Sequence, residues 1–416
     1  MFVLYEPDQR IPIKVWLADR SDLDPACLEQ ATHLAMLPFA HSHVALMPDC
    51  HSGYGMPIGG ILATRGVVVP NAVGVDIGCG MAFLQTNIPA ALLREATTPS
   101  GTLLQAIVGA VLRSIPVGFA HHSDPQPCSV LDRALDSADG FRGRLVEGPD
   151  ELVAEIEAGY YQVGTLGGGN HFIELQEDEN GLVAIMLHSG SRNFGYKICR
   201  YFNRRAQELN KQWYSSVPPE WDLAFLPVDT KEGQQYLAWM LLAQDFAREN
   251  RERIMFKVQE VLFNMVRKYA GFAGIEETMS VNCHHNYCTL EHHFGQNLWV
   301  HRKGAIRVRH GELGLIPGAM GSPSYVVRGL GNPESFCSCS HGAGRSGSRR
   351  QAMKTYSVQS VLEDLRAQGI VLGKHNKTDV AEECRWAYKD IEQVMAQQGD
   401  LVEVVKRLKT IAVVKG

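Results

Sequence analysis

One stretch of the sequence, residues 233–270, constrains the fold more than any other. Its letters, GQQYLAWMLLAQDFARENRERIMFKVQEVLFNMVRKYA, place apolar residues at intervals of three and four over almost the whole length. This spacing is typical of an amphipathic helix that lays one face on a core. We therefore predict a long helix here that packs against the core of the protein.

The other predicted elements follow in mixed order. Helices are predicted at 24–36, 91–115, 355–368 and about 389–411, a polar and irregular segment at 118–150, and strands with glycine-rich turns elsewhere. The sequence lacks an internal repeat, a convincing linker and a regular βαβ alternation, which argues against a doubly wound sheet. We predict an α+β fold, a single compact domain over residues 1–416 with mixed or antiparallel sheets surrounded by helices.

Composition narrows the class of protein. The 416 residues are 45% hydrophobic and 20% charged, as in ordinary globular proteins, and the net charge is −5. A chain with this charge can meet nucleic acid only through a local basic patch. The first ten residues do not resemble a signal peptide, and no apolar run reaches the roughly 18 residues of a membrane span. We expect a cytoplasmic protein whose ten cysteines are reduced, a few of them ligands.

Five turns share one character, since each places His, Cys or Asp where a predicted strand meets a loop. They are MPDCHSGYG (47–55), VDIGCG (75–80), GGGNHFIE (167–174), MLHSGSR (186–192) and NCHHNY (282–287). No local zinc pattern is present, so a metal site would be assembled from distant segments. The natural ligand set is Asp76, Cys79, His171, His188 and His285. A thiolate can bridge two divalent ions, and imidazole and carboxylate suit Mn²⁺ or Zn²⁺; the alternative is a set of hydrogen-bonded turn histidines.

The segment SHGAGRSGSRR (340–350) places His341 in a glycine-rich turn just before three arginines. Backbone N–H groups and guanidinium groups bind phosphate, and an imidazole can act as a nucleophile or general acid. A solvated basic turn is the alternative. The segment HRKGAIRVRH (301–310) could follow a nucleic-acid backbone or form the wet face of a sheet. Neither a P-loop nor a Rossmann fingerprint is present.

Nine motifs, taken in order, resemble the RtcB family of RNA ligases from about residue 10 to the last residue. They are MPDCHSGYGMPIGG, VGVDIGCGM, GTLGGGNHFIE, LHSGSR, HHNY, IPGAMG, RGLGNPESFCSCSHGAGR, AYKDI and VKG. The family joins an RNA 3′-phosphate or 2′,3′-cyclic phosphate to a 5′-hydroxyl.

The resemblance implies two Mn²⁺ ions per active site, bridged by the Cys79 thiolate. Asp76 and His171 would complete the shell of one ion, and His188 and His285 that of the other. His341 matches the histidine that attacks the α-phosphate of GTP and becomes guanylylated.

The resemblance also implies a GTP site and contacts to RNA. The implied GTP-binding residues are Asn170, His171, Phe172, Ile173, Glu174, His285, Asn286, Pro317, Gly318, Ala319, Met320, Ser324, His341, Gly342, Ala343, Gly344, Tyr388 and Lys415. The rings of Phe172 and Tyr388 would flank the guanine. RNA or phosphate contacts are expected from Arg192, Arg345 and Asp49, and His51 borders the site.

The implied activity is GTP- and Mn²⁺-dependent RNA ligation in RNA repair or tRNA splicing. GMP would pass from His341 to the RNA 3′-phosphate, and the 5′-hydroxyl of a second RNA would then displace it. Two alternatives remain open at this point: a dinuclear phosphodiesterase that trims RNA ends, which needs the metal ligands but not His341 or Lys415, and a catalytically silent RNA-binding relative. We expect a monomer without membrane contact, and leave open the need for an activating partner protein.

Two stretches depart from the family pattern. Ala319 stands where many relatives carry Ser, which would remove one hydroxyl contact to the nucleotide. Cys384, Arg385 and Trp386 stand where relatives tend to carry an acidic, proline-containing stretch. Both differences fall close to the expected guanine site.

Overall fold

Two β-sheets carry the architecture of the protein, which is known from a computed structural model that describes residues 1–135 and 149–416. The strands are β1 (Phe2–Leu4), β2 (Ile13–Val15), β3 (Ala40–His51), β4 (Ile58–Thr64), β5 (Val67–Val68), β6 (Gly80–Pro89), β7 (Thr97–Thr98), β8 (Gly101–Thr102), β9 (Phe172–Glu177), β10 (Leu182–Ser189), β11 (Leu226–Pro227), β12 (Glu277–His284), β13 (Asn286–His293), β14 (Gln296–Lys303), β15 (Ala305–Arg307), β16 (Leu313–Ile316), β17 (Ser324–Gly329), β18 (Ser338–Ser340), β19 (Val371–Gly373) and β20 (Val402–Lys415). The α-helices are α1 (Pro25–Met36), α2 (Pro70–Val73), α3 (Ala90–Glu95), α4 (Leu103–Ser114), α5 (Ser129–Leu135), α6 (Asp150–Gln162), α7 (Arg192–Gln212), α8 (Lys231–Ala270), α9 (Arg349–Thr355), α10 (Val358–Ala367) and α11 (Ile391–Ala396).

The strand order of the sheets departs from the order of the sequence. One sheet runs β1-β2-β3-β4-β14-β13, and the other runs β12-β6-β10-β9-β20-β17-β16 with β19 beside β20. Parallel pairing occurs between β2 and β3 and between β19 and β20, whereas the neighbours around the site are antiparallel. Helices and strands alternate without βαβ regularity. The predicted α+β class, with mixed sheets and surrounding helices, is therefore confirmed.

The predicted long helix is confirmed as α8. The Thr230 side chain accepts a hydrogen bond from the Gly233 backbone N–H and caps its start, and Gly271, with φ +67°, follows its end. The apolar stripe of α8 contributes to two clusters of the core. One contains α7 residues such as Phe194, and the other contains α4 residues such as Ile107 together with the second sheet. In the described residues, no helix has both the length and the apolar character needed to cross a bilayer.

Two polar side chains of α8 are fully buried and hold the turns at one edge of the second sheet. Arg251 donates from Nη1 to the carbonyl oxygens of Gly78 (2.9 Å) and Ser189 (3.1 Å), and from Nε to Asn282 Oδ1 (2.9 Å). Asn250 Nδ2 donates to Ser189 Oγ at 3.1 Å. Helix α8 thus fixes the start of β6 and the ends of β10 and β12, where the predicted metal ligands lie.

Helical periodicity was misleading in two places. The predicted helix at 389–411 is wrong, because only α11 is helical and Val402–Lys415 forms β20, which pairs with β9, β17 and β19. Its β-branched residues gain ladder partners on both sides, which local periodicity cannot reveal. The predicted helix at 91–115 is interrupted by the β7–β8 hairpin, after which Thr102 caps α4.

The structure also tests the predictions for two further helices, one turn and one irregular segment. The helices predicted at 24–36 and 355–368 are confirmed in substance as α1 and α10. The turn predicted at 186–192 is shorter than expected, because β10 extends to Ser189 and α7 begins at Arg192. Of the segment 118–150, expected to be irregular, the described part contains α5, and residues 136–148 lie outside the described residues.

We predict that Arg251→Met lowers the free energy of unfolding by about 3–5 kcal/mol, because buried carbonyl and amide oxygens lose their charged donor. Urea unfolding at an unchanged m-value measures the shift. Arg248→Met, an exposed position on the same helix, is the matched control and is expected to stay within about 0.5 kcal/mol. Equal destabilisation of both variants would contradict a specific role for Arg251.

Candidate active site

The candidate ligands meet because neighbouring antiparallel strands end at one edge of the second sheet. β12 ends at His284, β6 begins at Gly80, β10 ends at Ser189 and β9 begins at Phe172. The register places His188 opposite both Met81 and Phe172. The turns that flank these strand ends carry the five predicted ligands, which therefore lie side by side although they span more than two hundred residues of sequence.

The ligand atoms form two overlapping groups that share the Cys79 thiol. Cys79, His188 and His285 form one group and Asp76, Cys79 and His171 the other, with the atoms of each group within 4.8 Å of one another. Cys79 Sγ lies 3.2 Å from His188 Nε2 and 3.4 Å from His171 Nε2. His188 Nε2 lies 3.3 Å from His285 Nε2, and Asp76 Oδ2 lies 3.2 Å from His171 Nε2. These two groups of side chains coincide with the two sets that the family resemblance implies.

The hydrogen bonds of the imidazoles suit metal ligation. His188 Nδ1 donates to the Asn170 carbonyl at 3.1 Å, so Nε2 carries a lone pair that points at the Nε2 of His285. His171 Nδ1 lies 2.9 Å from the Leu166 carbonyl, which can take its proton. An imidazole held by a carbonyl through Nδ1 is the usual arrangement of a metal-bound histidine. The thiol, the imidazoles and the carboxylate are residue types that bind divalent metals, and His285 Nδ1 has no hydrogen-bond partner among the described residues, so the residues fit a divalent metal pair.

Burial sets the protonation of the cluster. It lowers the pKa of His188 and His285 well below the ordinary histidine value, so both imidazoles are neutral ligands. Burial opposes the charge of Asp76, but the His171 hydrogen bond and the Arg192 charge outweigh it and hold the carboxyl pKa well below its usual range. Asp76 packs against Gly190, where a Cβ atom would overlap the carboxylate. The glycine in the LHSGSR motif therefore makes room for a ligand from another turn.

His341 sits beside this cluster and is held by Asp49. His341 Nδ1 donates to Asp49 Oδ2 at 2.6 Å, and the His341 backbone N–H donates to the same oxygen at 3.1 Å. The His341 and His285 rings are 4.9 Å apart between centroids. Gly344, with φ +72°, passes so close to Asp49 that a Cβ atom would overlap the Asp49 backbone. The sequence grouped Asp49 with phosphate contacts, whereas its carboxylate faces the His341 imidazole.

A cavity of about 820 Å³ opens in front of His341. This volume is within the range that small-molecule sites occupy. The predicted nucleotide residues that line it are Asn170, Phe172, Glu174, Pro317, Gly318, Ala319, Met320, His341, Gly342, Ala343, Gly344, Tyr388 and Lys415. Lys415 reaches the same sheet edge because it pairs with Phe172 in the β20–β9 ladder.

Other predicted nucleotide residues stand behind the wall of the cavity. The Asn286 side chain accepts from the Gly304 N–H and donates to the Asp76 carbonyl. Ser324 Oγ accepts from the Gly318 N–H at 3.1 Å and so supports the 317–320 turn. Ile173 belongs to the apolar core, and His285 belongs to the metal cluster.

The two arginines predicted to bind RNA or phosphate are both largely buried. Arg192 has a positive φ of +58° and places Nη1 3.0 Å from His171 Nδ1, with no partner for Nε among the described residues. Arg345 lines the cavity, yet its Nη1 donates to the Glu382 carbonyl (2.9 Å) and the Tyr388 hydroxyl (3.2 Å). Both side chains are therefore already in contact with polar groups of the protein itself.

The basic segment 301–310 is neither a surface for nucleic acid nor a wet face in its first part, so both interpretations are wrong there. His301 accepts from the Val69 N–H, and Arg302 is buried in an ion pair with Glu291. Lys303 Nζ donates to the carbonyls of Tyr54 and Asn71. These side chains of β14 therefore pair with groups inside the protein, on β13 and on the segments around residues 54 and 69–71.

Sequence reasoning missed three residues that build the site. Asn250 and Arg251 were hidden in the α8 pattern, where two polar residues on a buried stripe were the available signal. Glu383 lines the cavity and accepts hydrogen bonds from Lys415 and Tyr388. Its signal was an acidic residue within the loop that leads to Tyr388.

The comparisons with known proteins agree with this geometry. Residues 30–416 match the family described as tRNA-splicing ligase RtcB. The chain is 40% identical over 412 residues to the RNA-splicing ligase RtcB of Escherichia coli K12, and 98% of each chain is covered. This chain belongs to the RtcB family. The tRNA-splicing ligase RtcB of Nanoarchaeum equitans is 31% identical over 475 residues, covering 99% of this chain and 96% of the relative. The resemblance stated from the motifs is confirmed.

The residues in which this RtcB sequence departs from the family pattern differ in whether they line the cavity. Ala319 lines the cavity, as expected. Cys384 is buried, Arg385 pairs with Asp364 at 2.6 Å, and Trp386 packs on Tyr356 with ring centroids 5.6 Å apart. None of these three contributes to the described wall of the cavity.

We predict that Cys79→Ala weakens binding of Mn²⁺ by at least about 100-fold, since loss of even a supporting partner of a ligand costs 10–100-fold. Calorimetric titration of the metal-free protein measures the affinity. Cys199→Ala removes a buried thiol outside the cluster and is expected to bind as the wild type does. Equal affinities in the two variants would contradict a bridging thiolate.

We predict a pH-dependent gain of stability from Glu174→Gln. Burial raises the pKa of Glu174 to about 7, so the folded chain holds a proton that the unfolded chain releases near pH 4.5. Stability contributed by this group is therefore present below about pH 4.5 and is lost as the pH rises to about 7. The difference between the variant and the wild type should grow by about 3 kcal/mol between pH 4.5 and 8.

Denaturant unfolding at both pH values checks this prediction. Glu157→Gln, which changes an exposed carboxyl on α6, is the control and should show no such growth. A flat difference for Glu174→Gln would mean that folding does not raise the pKa of Glu174.

Proposed function

We propose that this chain is a GTP-dependent RNA ligase that joins RNA 3′-phosphate or 2′,3′-cyclic phosphate ends to 5′-hydroxyl ends. One observation carries the proposal: an imidazole held by a buried carboxylate, that of His341, stands between a set of five metal ligands and a nucleotide-sized cavity. A phosphodiesterase would need the ligands without this nucleophile. The relatives named as RNA-splicing and tRNA-splicing ligases support the same reading.

Asp49 is assigned to orient the nucleophile. It is fully buried, and the adjacent His341 keeps its pKa below the ordinary value although burial opposes the charge. A carboxylate that accepts the Nδ1 proton leaves the lone pair on Nε2, the atom that must attack phosphorus. The role resembles that of the aspartate in other histidine dyads, in which the carboxylate fixes the tautomer.

Asp76, Cys79, His171, His188 and His285 would hold two divalent ions, which we take to be Mn²⁺. Such ions neutralise phosphate charge and favour in-line displacement. The protein contributes the fixed positions of the ligands, neutral imidazoles and a buried environment.

The cavity wall offers complementary groups to guanine. Phe172 and Tyr388 supply rings, Glu174 supplies a carboxylate that can accept from the base N1–H and N2–H groups, and Lys415 supplies N–H donors for O6. We assign these four residues to the base and the 317–320 and 342–344 turns to the sugar and phosphate.

The reaction proceeds through three displacements at phosphorus. His341 Nε2 attacks the α-phosphorus of GTP, so that an N–P bond forms and the bond to pyrophosphate breaks. An oxygen of the RNA 3′-phosphate then attacks the same phosphorus, which releases His341 and gives RNA-(3′)pp(5′)G. The 5′-hydroxyl of the second RNA attacks the RNA phosphorus, loses its proton, and expels GMP; a 2′,3′-cyclic end first takes up one water.

We propose that the substrates are broken or spliced RNAs, tRNA among them, in the cytoplasm. The enzyme is expected to act as a monomer, and a dependence on an activating protein would appear as a low rate of guanylylation by the isolated chain.

We predict that wild-type protein incubated with GTP and Mn²⁺ gains the mass of one GMP, whereas His341→Ala gains none. Asp49→Asn should slow the gain by about 10²–10⁴-fold, because an amide cannot hold the same tautomer. Intact mass spectrometry over time measures both. His310→Ala, an exposed histidine, is the matched control and should react at the wild-type rate.

The same samples decide between the alternatives when RNA ends are added. Joining without a guanylylated protein, or joining by His341→Ala, would overturn the histidine mechanism. Hydrolysis of 2′,3′-cyclic phosphates or of other phosphodiester bonds at RNA ends, with no joining, would favour the phosphodiesterase, and binding with no reaction would favour the silent relative.

A further inference from the structure

The carboxylate of Glu383 contacts side chains from three segments that line the cavity. Its Oε2 accepts from Lys415 Nζ at 3.0 Å and from the Tyr388 hydroxyl at 2.7 Å. Its Oε1 lies 3.4 Å from Arg345 Nη1 and 3.6 Å from Arg349 Nε. Glu383 is only 5% exposed, so these contacts form in a desolvated environment where charge-assisted hydrogen bonds are strong.

Glu383 determines where the Lys415 ammonium points. Lysine has three N–H donors. One donates to Glu383, and a second donates to the Gly169 carbonyl at 3.3 Å. Lys415 also lines the cavity, so its third donor remains available to a molecule that binds there.

Glu383 also fixes the ring of Tyr388. The hydroxyl donates to Glu383 and accepts from Arg345, and the Arg345 guanidinium lies 4.9 Å from the ring centroid. With the hydroxyl engaged and one face covered by a cation, the other face is left to stack on a base. The ring and the ammonium therefore share one anchor.

We propose that Glu383 is the positioning residue that sets the preference of this site for guanine, an inference that rests on the proposed function. Guanine presents an oxygen acceptor at position 6, whereas adenine presents an amino donor there. An ammonium held in one orientation by Glu383 can donate to the oxygen and repels the amino group. An ammonium released from Glu383 could move away from position 6 of the base and relieve this repulsion, since a site rejects the wrong base only where its polar groups are held in place.

The binding of GTP and of ATP, each titrated calorimetrically into the Mn²⁺-loaded protein, tests the proposal without any chemistry. The variants are Glu383→Gln, which keeps the shape and removes the charge, and Glu383→Asp, which keeps the charge. Glu382→Gln makes the same change on the neighbouring residue, whose side chain is half-buried, and serves as the matched control.

We predict that Glu383→Gln lowers the ratio of GTP to ATP affinity by about 10–100-fold, mainly through weaker GTP binding, the size of one charge-assisted hydrogen bond. Glu383→Asp should recover part of the ratio, and Glu382→Gln should keep all of it. In guanylylation assays, Glu383→Gln should raise KM for GTP while the rate at saturating GTP stays within about threefold.

The outcomes separate this proposal from the proposed function. A wild type that prefers GTP together with an unchanged ratio in Glu383→Gln would overturn the role of Glu383 and leave the ligase standing. A wild type without preference for GTP would overturn both. Should Glu383→Gln fail to fold, as judged by its thermal transition, the ratio in Glu383→Asp decides, because a merely structural carboxylate would leave that ratio unchanged.

Discussion

The antiparallel pairing of β12, β6, β10 and β9 is the constraint on which the rest of the structure depends. Because neighbouring strands run in opposite directions, each turn that carries a ligand is an alternate start or end of a strand at one edge. A slip of one residue would turn His188 from the site to the other face of the sheet. Arg251 of α8 stabilises this register by donating hydrogen bonds to the Gly78 and Ser189 carbonyls, so a buried cation helps to hold the candidate ligands in place.

Two neighbouring regions at this sheet edge would have to bind groups of opposite charge. Under the proposed function, the candidate ligands would hold cations while the neighbouring cavity would admit a polyphosphate. Two cations of the cavity wall, Arg345 and Lys415, are each paired with Glu383. A net charge of −5 is compatible with the proposed nucleotide site, because the cations of this wall are placed individually.

The sequence predicted α8 and the set of side chains that converge at this sheet edge, but it failed where distant partners decide the structure. Cys79 and the histidines could be singled out without knowledge of the fold, because their residue types in glycine-rich turns suggest metal ligation. Residues 402–415 could not be predicted as a strand, because their partners on β9 and β17 are remote in sequence. Asp49 was grouped with phosphate contacts for the same reason, since His341, its partner, lies 292 residues away. Glu383 could not be singled out from the sequence, because its partners are brought together only by the fold. They are Arg345, Arg349, Tyr388 and Lys415.

The binding of a metal ion by the converging side chains of this cluster would have a thermodynamic consequence. The set of donors exists only while the sheet is paired, and the unfolded chain scatters the same side chains along more than two hundred residues. An ion bound there therefore favours the folded chain over the unfolded one by mass action, by about 2.7 kcal/mol when its free concentration is a hundred times its Kd. Metal binding at this cluster would make the stability of the protein depend on its ionic surroundings as well as on its sequence, because metal supply and folding would be linked equilibria.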